Sequence, residues 1–374
     1  MNILLTCAGR RSHIVRAFKD ALGRRGRVLA CDSTGAAPAL LEADQGFMVP
    51  AVDHADYFEV LGGVCRQHEV RLVISVHDLE LPGLAQHARR FREWGTIVVI
   101  SAPEVIATCQ DKWASFLFLR ANNIPTPDTY KSLADAQEAL ACGALRYPLV
   151  IKPRWGTGSI GVEWVANDHE LHLAHEWARL QLKKTFVAKL GQLNGAEPDG
   201  SFVFQQALAG QEYGMDIVND LDGRHVACLC RKKLVMRAGN TDRAVTISEP
   251  SLERIGELLG ERLGHVGPLD CDLIVAEDNS VVIDMNPRFG GGYPFSHLAG
   301  ANLPAALIAW ANGEESDAAW LQSKPGVLSA KYDGMAIIDQ EGTVHEPGAA
   351  HERGRSAPKR LPSSTAILPT RSST

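Results

Sequence analysis

The chain has 374 residues, 45% of them hydrophobic, and a formal net charge of −6. This length accommodates two or three compact units with sizeable cores. The acidic balance argues against nucleic acid as a partner, because nucleic-acid-binding proteins more often carry a basic face. No apolar run approaches the roughly 18 residues of a membrane span, and Ile3 already lies in a strand-like run rather than in a secretory leader. We therefore expect a cytoplasmic protein with no membrane partner.

The eight cysteines are scattered along the chain. They form no paired Cys-x-x-Cys motif of the kind that holds structural zinc. We expect them to be reduced, mostly buried thiols, as is usual in a reducing compartment.

Residues 1 to about 106 alternate short apolar strands with amphipathic helices. Strands are predicted at Asn2–Thr6, Val28–Cys31, Arg71–Val76 and Thr96–Ile100, and helices at Ser12–Leu22, Tyr57–His68 and Leu81–Phe91. This alternation predicts parallel βαβ units in an open sheet. The first turn, Cys7–Arg11, lacks Gly-x-Gly-x-x-Gly, so it does not indicate a dinucleotide site. Asp32, which follows the second strand, is interpreted as a turn carboxylate rather than as a ribose ligand.

The pattern of predicted elements changes near Asp111, where a helix is predicted over Asp111–Asn122. An apolar strand then ends at Lys152, and the turn from Arg154 to Gly161 is rich in glycine. Glycines let backbone amides approach a phosphate closely, and the lysine adds a point charge for an anion. The spacing is not that of a P-loop. Taken alone, the segment fits an ordinary hairpin turn with a surface lysine equally well.

Three histidines, His169, His172 and His175, recur every third residue on a predicted helix. This spacing drifts around the helix, and acidic residues lie between the histidines. We interpret the group as part of an exposed face rather than as a metal site.

The stretch after Phe202 is an apolar strand that ends in two amide side chains, Gln205 and Gln206. Such a strand can form an adenine slot in which backbone groups read the purine edge. Glu212, shortly afterwards, can accept hydrogen bonds from ribose hydroxyls. Without the other motifs, this segment is simply a strand and a turn.

Acidic residues dominate the ends of the next two predicted strands, Leu269–Ala276 and Ser280–Met285. If these strands pair as a hairpin, Asp272 lies near Asp284 and Asn286, since residues two apart on a strand share a face. Three hard oxygen donors together with nucleotide phosphates suit Mg²⁺. Arg288 then falls beside the acids, where it can hold a phosphoryl or acyl-phosphate oxygen. The alternative is a common strand-end turn rich in aspartate and asparagine.

The composition changes from about Glu341, where Gly, Pro, Ser, Thr, Arg and His replace the apolar periodicity. Residues 341–374 cannot bury enough apolar surface to offset the entropy of ordering them. We predict that they are disordered.

Together these motifs resemble the ATP-grasp superfamily, over roughly residues 1 to 335. They are most similar to short, single-copy relatives of the carbamoyl-phosphate synthase large subunit. The segments that carry the resemblance are Asp111–Trp113, Pro148–Pro153, the glycine loop through Gly161 and Ile283–Gly292. The order and spacing of the four motifs make the match specific, since none of them is sufficient alone.

The resemblance implies a fold of mixed α/β and α+β class. An open parallel sheet (the pre-ATP-grasp domain, 1–106) would precede an ATP-grasp fold of two subdomains. The first, a lid with its linking helix, would span 107–190, and the second would span 191–335. ATP would lie between these two subdomains.

The resemblance also implies a role for each matched residue. Lys112 and Lys152 would hold ATP phosphates, and amides of the loop containing Gly158 and Ser159 would close over them. The remaining matches are Gln205, Gln206 and the backbone of Leu208 at the adenine hinge, Glu212 at the ribose, Asp272, Asp284 and Asn286 at the metal, and Arg288 at the reacting phosphoryl and acyl groups. The family often has glutamate at position 284 and acids at the hinge, so the metal distances and adenine contacts are where this chain departs from it.

Three further segments have roles that remain open. The basic residues Arg231, Lys232 and Lys233 would hold a substrate carboxylate on the floor of the site, or they form a solvated charge run. Backbone amides of Gly290–Tyr293 would bind a second anion. On the N-terminal rim, His77–Glu80 would face an incoming amine.

The resemblance implies an ATP-dependent ligase that uses Mg²⁺, with Mn²⁺ able to substitute. It would convert a small-molecule carboxylate into an acyl phosphate for attack by an amine, releasing ADP and phosphate. A phosphotransferase that stops at a phosphorylated product and a non-catalytic ATP-binding regulatory protein are the alternatives. By analogy with the family, we expect a homodimer.

Overall fold

The structure is a computed structural model that describes residues 1–156, 158–185, 201–276, 279–339 and 344–345. The contacts divide the chain into two compact units. One contains Met1–His77, His87–Val98 and the described residues from Asp333 onward. The other contains Asp78–Gln86 and Val99–Tyr332.

The first unit is built on a five-stranded sheet in the order β3-β2-β1-β4-β5. Its strands are β1 (Asn2–Thr6), β2 (Val28–Asp32), β3 (Gln45–Met48), β4 (Val70–Ser75) and β5 (Ile97–Val99). β1 pairs in parallel with both β2 and β4. Ile3, Leu4 and Leu5 are fully buried, as expected for a parallel strand covered on both faces.

Helices α1 (Ser12–Leu22), α2 (Pro38–Glu42), α3 (Tyr57–Gln67) and α4 (Leu81–Glu93) alternate with these strands, and a 3₁₀ turn covers Asp78–Glu80. The parallel βαβ prediction is confirmed. β3 and α2 were not predicted. Asp32 accepts a hydrogen bond from the backbone N–H of Gly9 at 2.8 Å, which agrees with its interpretation as a turn carboxylate.

A four-stranded antiparallel sheet in the order β6-β9-β7-β8 forms the smaller layer of the second unit. Helices α5 (Pro103–Gln110) and α6 (Lys112–Ala121) precede this sheet in the chain, and their residues Val105, Cys109 and Leu119 pack in the core of the larger sheet described next. The small sheet's own elements are β6 (Thr129–Tyr130), α7 (Leu133–Ala141), β7 (Leu149–Pro153), β8 (Glu163–Val165), α8 (Asp168–Leu182) and β9 (Phe202–Gln206). Leu149 and Ile151 of β7 pack with Phe202 and Phe204 of β9 in its core.

A six-stranded antiparallel sheet in the order β14-β13-β10-β11-β12-β15 forms the larger layer. Its elements are β10 (Gln211–Asn219), β11 (His225–Arg237), β12 (Asn240–Ile247), α9 (Pro250–Leu263), β13 (Gly267–Ala276), β14 (Asn279–Asn286), α10 (Tyr293–Leu298), α11 (Leu303–Ala311) and β15 (Leu328–Ala330). Its core includes Met215, Leu259, Leu269 and Met285. The predicted mixed α/β class is confirmed, with a parallel sheet followed by two antiparallel sheets.

The predicted disordered tail, 341–374, lies outside the described residues except for Val344–His345, which pairs as β17 with β16 (Ile337–Ile338). The limits predicted for the pre-ATP-grasp domain, the lid and the C-terminal subdomain remain predictions. Within the described part of the chain, no helix is both long and apolar enough to cross a membrane.

His175 does not share the exposure of the two histidines before it on α8. Its side chain is buried, with ring centroids 5.5 Å from those of Phe202 and Phe204. His169 and His172 are exposed. The interpretation of one exposed histidine face was therefore wrong for His175, because a three-residue spacing turns this side chain toward the sheet.

Two adjacent glycines in α3 provide a matched test of helix packing. A Cβ at Gly62 would lie 2.3 Å from a ring carbon of Trp94, whereas a Cβ at Gly63 would meet no atom within 4 Å. Gly63→Ala is expected to stabilise the protein by up to about 1 kcal/mol, because alanine is the better helix former. Gly62→Ala is expected to destabilise it by about 1–2 kcal/mol, since overpacking outweighs that gain. Urea denaturation of both variants measures the difference, and equal shifts of the same sign would contradict the Trp94 contact.

Acid is expected to weaken the second unit through His265, whose side chain is fully buried. Nε2 of His265 lies 3.1 Å from the carbonyl oxygen of Ile217, and burial lowers the pKa of His265 to about 4. The unfolded chain binds this proton near pH 6.5. The contribution of neutral His265 to the free energy of unfolding is therefore fully present above pH 6.5. About 3 kcal/mol of it is lost as the pH falls from 6.5 to 4.

His265→Gln keeps a donor for Ile217 and removes the titration, so it should flatten this part of the stability curve. Denaturant titrations of wild type and variant between pH 4 and 8 measure the difference. The exposed His169→Gln is the control. Parallel curves for wild type and His265→Gln would rule out the assignment.

Candidate functional site

Lys112 lies at the first position of α6, and its neighbours hold that end of the helix against β7. Asp111 caps the helix by accepting a hydrogen bond from the backbone N–H of Trp113 at 3.0 Å. The same carboxylate receives both arms of the Arg154 guanidinium, at 2.7 and 2.6 Å. The backbone N–H of Lys112 also donates to the carbonyl oxygen of Arg154. Because a two-point arginine–carboxylate pair is rigid, Lys112 is tied to the end of β7.

The Lys112 ammonium reaches from α6 to a carboxylate of the large sheet. Its Nζ donates to the carbonyl oxygen of Gly156 at 3.0 Å and lies 3.4 Å from Oδ1 of Asp284. The charge of the same carboxylate also acts on Lys152, near the end of β7. Burial lowers the pKa of Lys152 to about 8, although the charge of Asp284 opposes this effect. Two lysines separated by 40 residues thus face one acidic group.

The predicted acidic hairpin is present. β13 and β14 pair antiparallel, with Asp272 opposite Asp284 and Asp270 opposite Asn286. The side-chain amide of Asn286 donates to Oδ2 of Asp284 at 3.0 Å. Burial acts to raise the pKa of Asp284, but Lys112 and the Asn286 hydrogen bond outweigh it and hold that pKa below its usual value. Asp284 is therefore a carboxylate at neutral pH.

Lys233 is a site residue whose role sequence reasoning left open. Its side chain is only 4% exposed, and Nζ lies 2.7 Å from Oδ1 of Asp272 and 3.1 Å from Oε1 of Glu212. Burial raises the pKa of Asp272 above its usual value, although Lys233 acts in the opposite direction. The ammonium thus joins the predicted ribose acid to one predicted metal ligand.

Lys233 and Arg231 are two apart on β11, so they share a face. Both side chains are buried. The alternative of a solvated charge run is therefore wrong for these two residues. Their two-residue spacing was the available signal, because it is the period of a strand with one face turned inward.

The Arg288 side chain is buried beside two carboxylates. Nε and Nη2 donate to the two oxygens of Asp78, each at 2.9 Å. Nη1 donates to Oδ2 of Asp270 at 3.3 Å and to the carbonyl oxygen of Phe289 at 3.1 Å. Four of its five N–H groups thus donate hydrogen bonds within the described residues. Asp78, expected on the N-terminal rim facing an amine, is paired with Arg288 instead.

The predicted hinge glutamines are bonded to protein groups. Gln205 is buried, and its amide donates to the hydroxyl of Thr129 at 2.9 Å. The amide of Gln206 donates to the carbonyl oxygens of Pro148 and Ala207, both at 3.2 Å, and its oxygen accepts from the backbone N–H of Arg146. These bonds hold the hinge together. Leu208 follows directly with a partly buried side chain.

The glycine loop lies over the hairpin of β11 and β12. Gly158 and Ser159 have φ values of +66° and +59°, a conformation that costs a non-glycine residue energy. A Cβ at Gly239, in the hairpin turn, would lie 2.5 Å from the carbonyl oxygen of Gly158. The loop from the small sheet therefore approaches a turn of the large sheet.

A narrow crevice between the two sheets brings several predicted site residues together. Its lining includes Lys112, Gln205 and Asp284, with Ser115 and Met285. The contacts described above connect the crevice with Asn286, Asp272, Lys233 and Glu212, and the charge of Asp284 acts on Lys152. The geometry combines the ammonium groups of Lys112 on α6 and Lys152 on β7 with carboxylates of the large sheet, which is the arrangement needed to bind a polyphosphate and a hard cation.

The second unit is an α/β fold with two antiparallel sheets, and comparisons with known families identify it. A model of the ATP-grasp domain matches residues 109–292. A model described as "PylC-like, N-terminal domain" matches residues 3–99. The chain therefore contains an ATP-grasp domain, preceded by a PylC-like N-terminal domain.

Solved structures with the same fold include three enzymes of different activity. The biotin carboxylase domain of Hydrogenobacter thermophilus 2-oxoglutarate carboxylase, solved as a dimer with MgADP, ADP and bicarbonate, is 20% identical with a TM-score of 0.65, covering 84% of this chain and 70% of its own. N5-carboxyaminoimidazole ribonucleotide synthetase from Thermotoga maritima is 17% identical with a TM-score of 0.61, and the match covers 86% of this chain and 78% of the synthetase. The L-amino acid ligase from Bacillus licheniformis is 18% identical with a TM-score of 0.59, and the match covers 82% of this chain and 73% of the ligase. At these identities the likeness shows the fold.

Proposed function

We propose that this protein is an ATP-dependent, Mg²⁺-requiring ligase that activates a small-molecule carboxylate as an acyl phosphate for attack by an amine. The observation that carries the proposal is the meeting of Lys112 with Asp284, 3.4 Å apart, from opposite sides of the crevice. The ATP-grasp domain supports the use of ATP. The amino acid ligase and the ribonucleotide synthetase among the similar structures support a carbon–nitrogen ligase.

The acidic hairpin fits Mg²⁺. Asp272, Asp284 and Asn286 offer hard oxygen atoms on neighbouring strands. The described residues contain no group of three His, Cys, Asp or Glu side chains placed to hold a metal by themselves. Mg²⁺ takes few protein ligands and shares phosphate oxygens. When bound, Mg²⁺ supplies neutralisation of the charge that develops on those oxygens.

The chain's own residues bind and orient the reactants. Lys112 on α6 and Lys152 on β7 attract the phosphates. Glu212, oriented by Lys233, accepts from the ribose, and the hinge backbone at Leu208 meets the adenine. Arg288 offers its one remaining N–H to the transferring phosphoryl or acyl oxygen. Positioning and charge neutralisation account for this chemistry, so no side-chain nucleophile is required.

Release of both ADP and free phosphate tests the proposal. The purified protein is incubated with ATP, Mg²⁺ and pools of carboxylic acids and amines, and any product is identified by mass spectrometry. A ligase releases ADP and phosphate together, whereas a phosphotransferase releases ADP and a phosphorylated product. ATP binding with no turnover in any pool would instead indicate a regulatory protein.

Two further expectations accompany this function. Mn²⁺ is expected to replace Mg²⁺, because both are hard cations that accept oxygen ligands. A homodimer is also expected, and the dimeric biotin carboxylase domain with the same fold supports it.

A further inference from the structure

Arg288 is connected to a buried chain of alternating charges. Asp270 receives Nη1 of Arg288 on Oδ2 at 3.3 Å and Nη2 of Arg231 on Oδ1 at 3.0 Å. Nη1 of Arg231 donates in turn to Oδ2 of Asp216 at 2.6 Å, and the hydroxyl of Ser296 donates to the same oxygen at 2.7 Å. The chain of contacts thus runs from α10 through β10, β11 and β13 to Arg288.

The side chains of this series of ion pairs are largely buried. The side chains of Arg231 and Asp216 are each 1% exposed, and that of Asp270 is 14% exposed. Nε of Arg231 has no hydrogen-bond partner among the described residues. Buried ion pairs that are replaceable by apolar residues contribute little net stability. This series of ion pairs ends at the Arg288 guanidinium.

The glycines that follow Arg288 leave room for the side chains of these ion pairs. A Cβ at Gly290 would lie 2.1 Å from the carboxyl carbon of Asp270, and a Cβ at Gly292 would lie 2.0 Å from Nη2 of Arg231. A Cβ at Gly214 would also meet the guanidinium, at 2.9 Å. Packing against Asp270 and Arg231 therefore explains why both loop positions are glycine, independently of the anion-binding role expected from the sequence.

We propose that Asp270 and Arg231 are positioning residues that orient the Arg288 guanidinium, and that the 290–292 loop is rich in glycine because it packs flat against them. Asp78 fixes two nitrogens of Arg288 from one side, and Asp270 fixes the third from the other. The guanidinium is then left with a single direction in which to offer its free N–H. The catalytic part of this inference rests on the proposed ligase function.

A double-mutant cycle tests the coupling during turnover. Asp270→Asn keeps the shape and removes the charge. It is expected to lower kcat on the order of 100-fold, as misplacement of a catalytic group does, with KM for ATP changed less than about threefold. In an Arg288→Lys background, the same change should have little further effect. Additive losses, or an unchanged kcat in Asp270→Asn, would overturn the proposal. Asp222→Asn, at an exposed ion pair with Arg224, is the control.

A second measurement does not depend on turnover. Nitrogen NMR of arginine side chains reports the Arg288 Nε–H, which is assigned by its loss in Arg288→Lys. Asp270→Asn and Gly292→Ala should both shift this signal and speed its exchange with water, whereas Asp222→Asn should not. An unmoved signal in both variants overturns the proposal. If wild type shows no turnover, the ligase function fails while this measurement still decides the positioning role.

If Asp270→Asn does not fold, Asp270→Glu serves in both experiments. It keeps the negative charge and moves the carboxylate by one methylene. A displaced Arg288 signal and a reduced kcat support the proposal, and values equal to wild type contradict it.

Discussion

Replacing Asp284 with alanine is expected to abolish ligase turnover, lowering ADP release at least about 10³-fold. The physical reason is that Asp284 faces Lys112 at 3.4 Å and accepts from Asn286 at 3.0 Å, so it lies where a cation and phosphates must meet. Without it, two lysine charges lose their counter-charge and the hairpin loses one of its oxygen ligands. A coupled assay of ADP release, at saturating ATP and Mg²⁺, measures the loss.

The fold should survive this change. Asp284 lies at the crevice, with 26% of its side chain exposed, so alanine leaves no closed apolar cavity. The midpoint of thermal unfolding is expected to move by less than about 5 °C. Asp222→Ala, which removes an exposed carboxylate 69% accessible to solvent, is the matched control and should keep full turnover. Normal activity in Asp284→Ala would remove the metal assignment.

Replacing Lys152 with alanine is expected to weaken ATP binding roughly 10- to 100-fold, which corresponds to the loss of one charge-assisted contact. Lys152 lies in β7, opposite Val203 of β9. The charges of Asp284, Asp272 and Glu212 oppose the lowering of its pKa by burial, which indicates that these carboxylates are near its ammonium. Calorimetric titration with a non-hydrolysable ATP analogue and Mg²⁺ measures the affinity.

Two further variants separate charge from shape at Lys152. Lys152→Met keeps most of the side-chain volume, so it should resemble Lys152→Ala if the charge is what matters. Lys131→Ala removes an exposed lysine of the same sheet layer and should bind the analogue as wild type does. Equal affinity in wild type and Lys152→Ala would defeat the phosphate role.

Local periodicity determined most elements of the fold. β1 and α1 have the bounds predicted for them, and most other predicted elements differ by a few residues at their ends. β3 was not found because Gln45–Met48 is a short edge strand that contains a glycine. β12 was missed because Asn240–Ile247 mixes polar and apolar residues, and only its pairing with β11 and β15 makes it a strand.

The acidic hairpin could be predicted from the sequence, because β13 and β14 follow one another closely and neighbouring strands readily pair antiparallel. The register that places Asp272 opposite Asp284 follows from that pairing. The glycine-rich segment and its lysine were likewise visible as a local motif. The placement of Lys112 near Asp284 was inferred from resemblance and is found in the structure.

What the sequence by itself determined is therefore the order of strands and helices, the acidic hairpin and the family motifs, because each depends on neighbouring residues. Only the tertiary structure decided that Arg231 and Lys233 are buried, since their burial requires carboxylates from β10 and β13. It also decided the partners of Arg288, because Asp78 lies 210 residues away in the chain. The stability of a buried charge depends on which opposite charges the fold brings to it, and no local pattern specifies that choice.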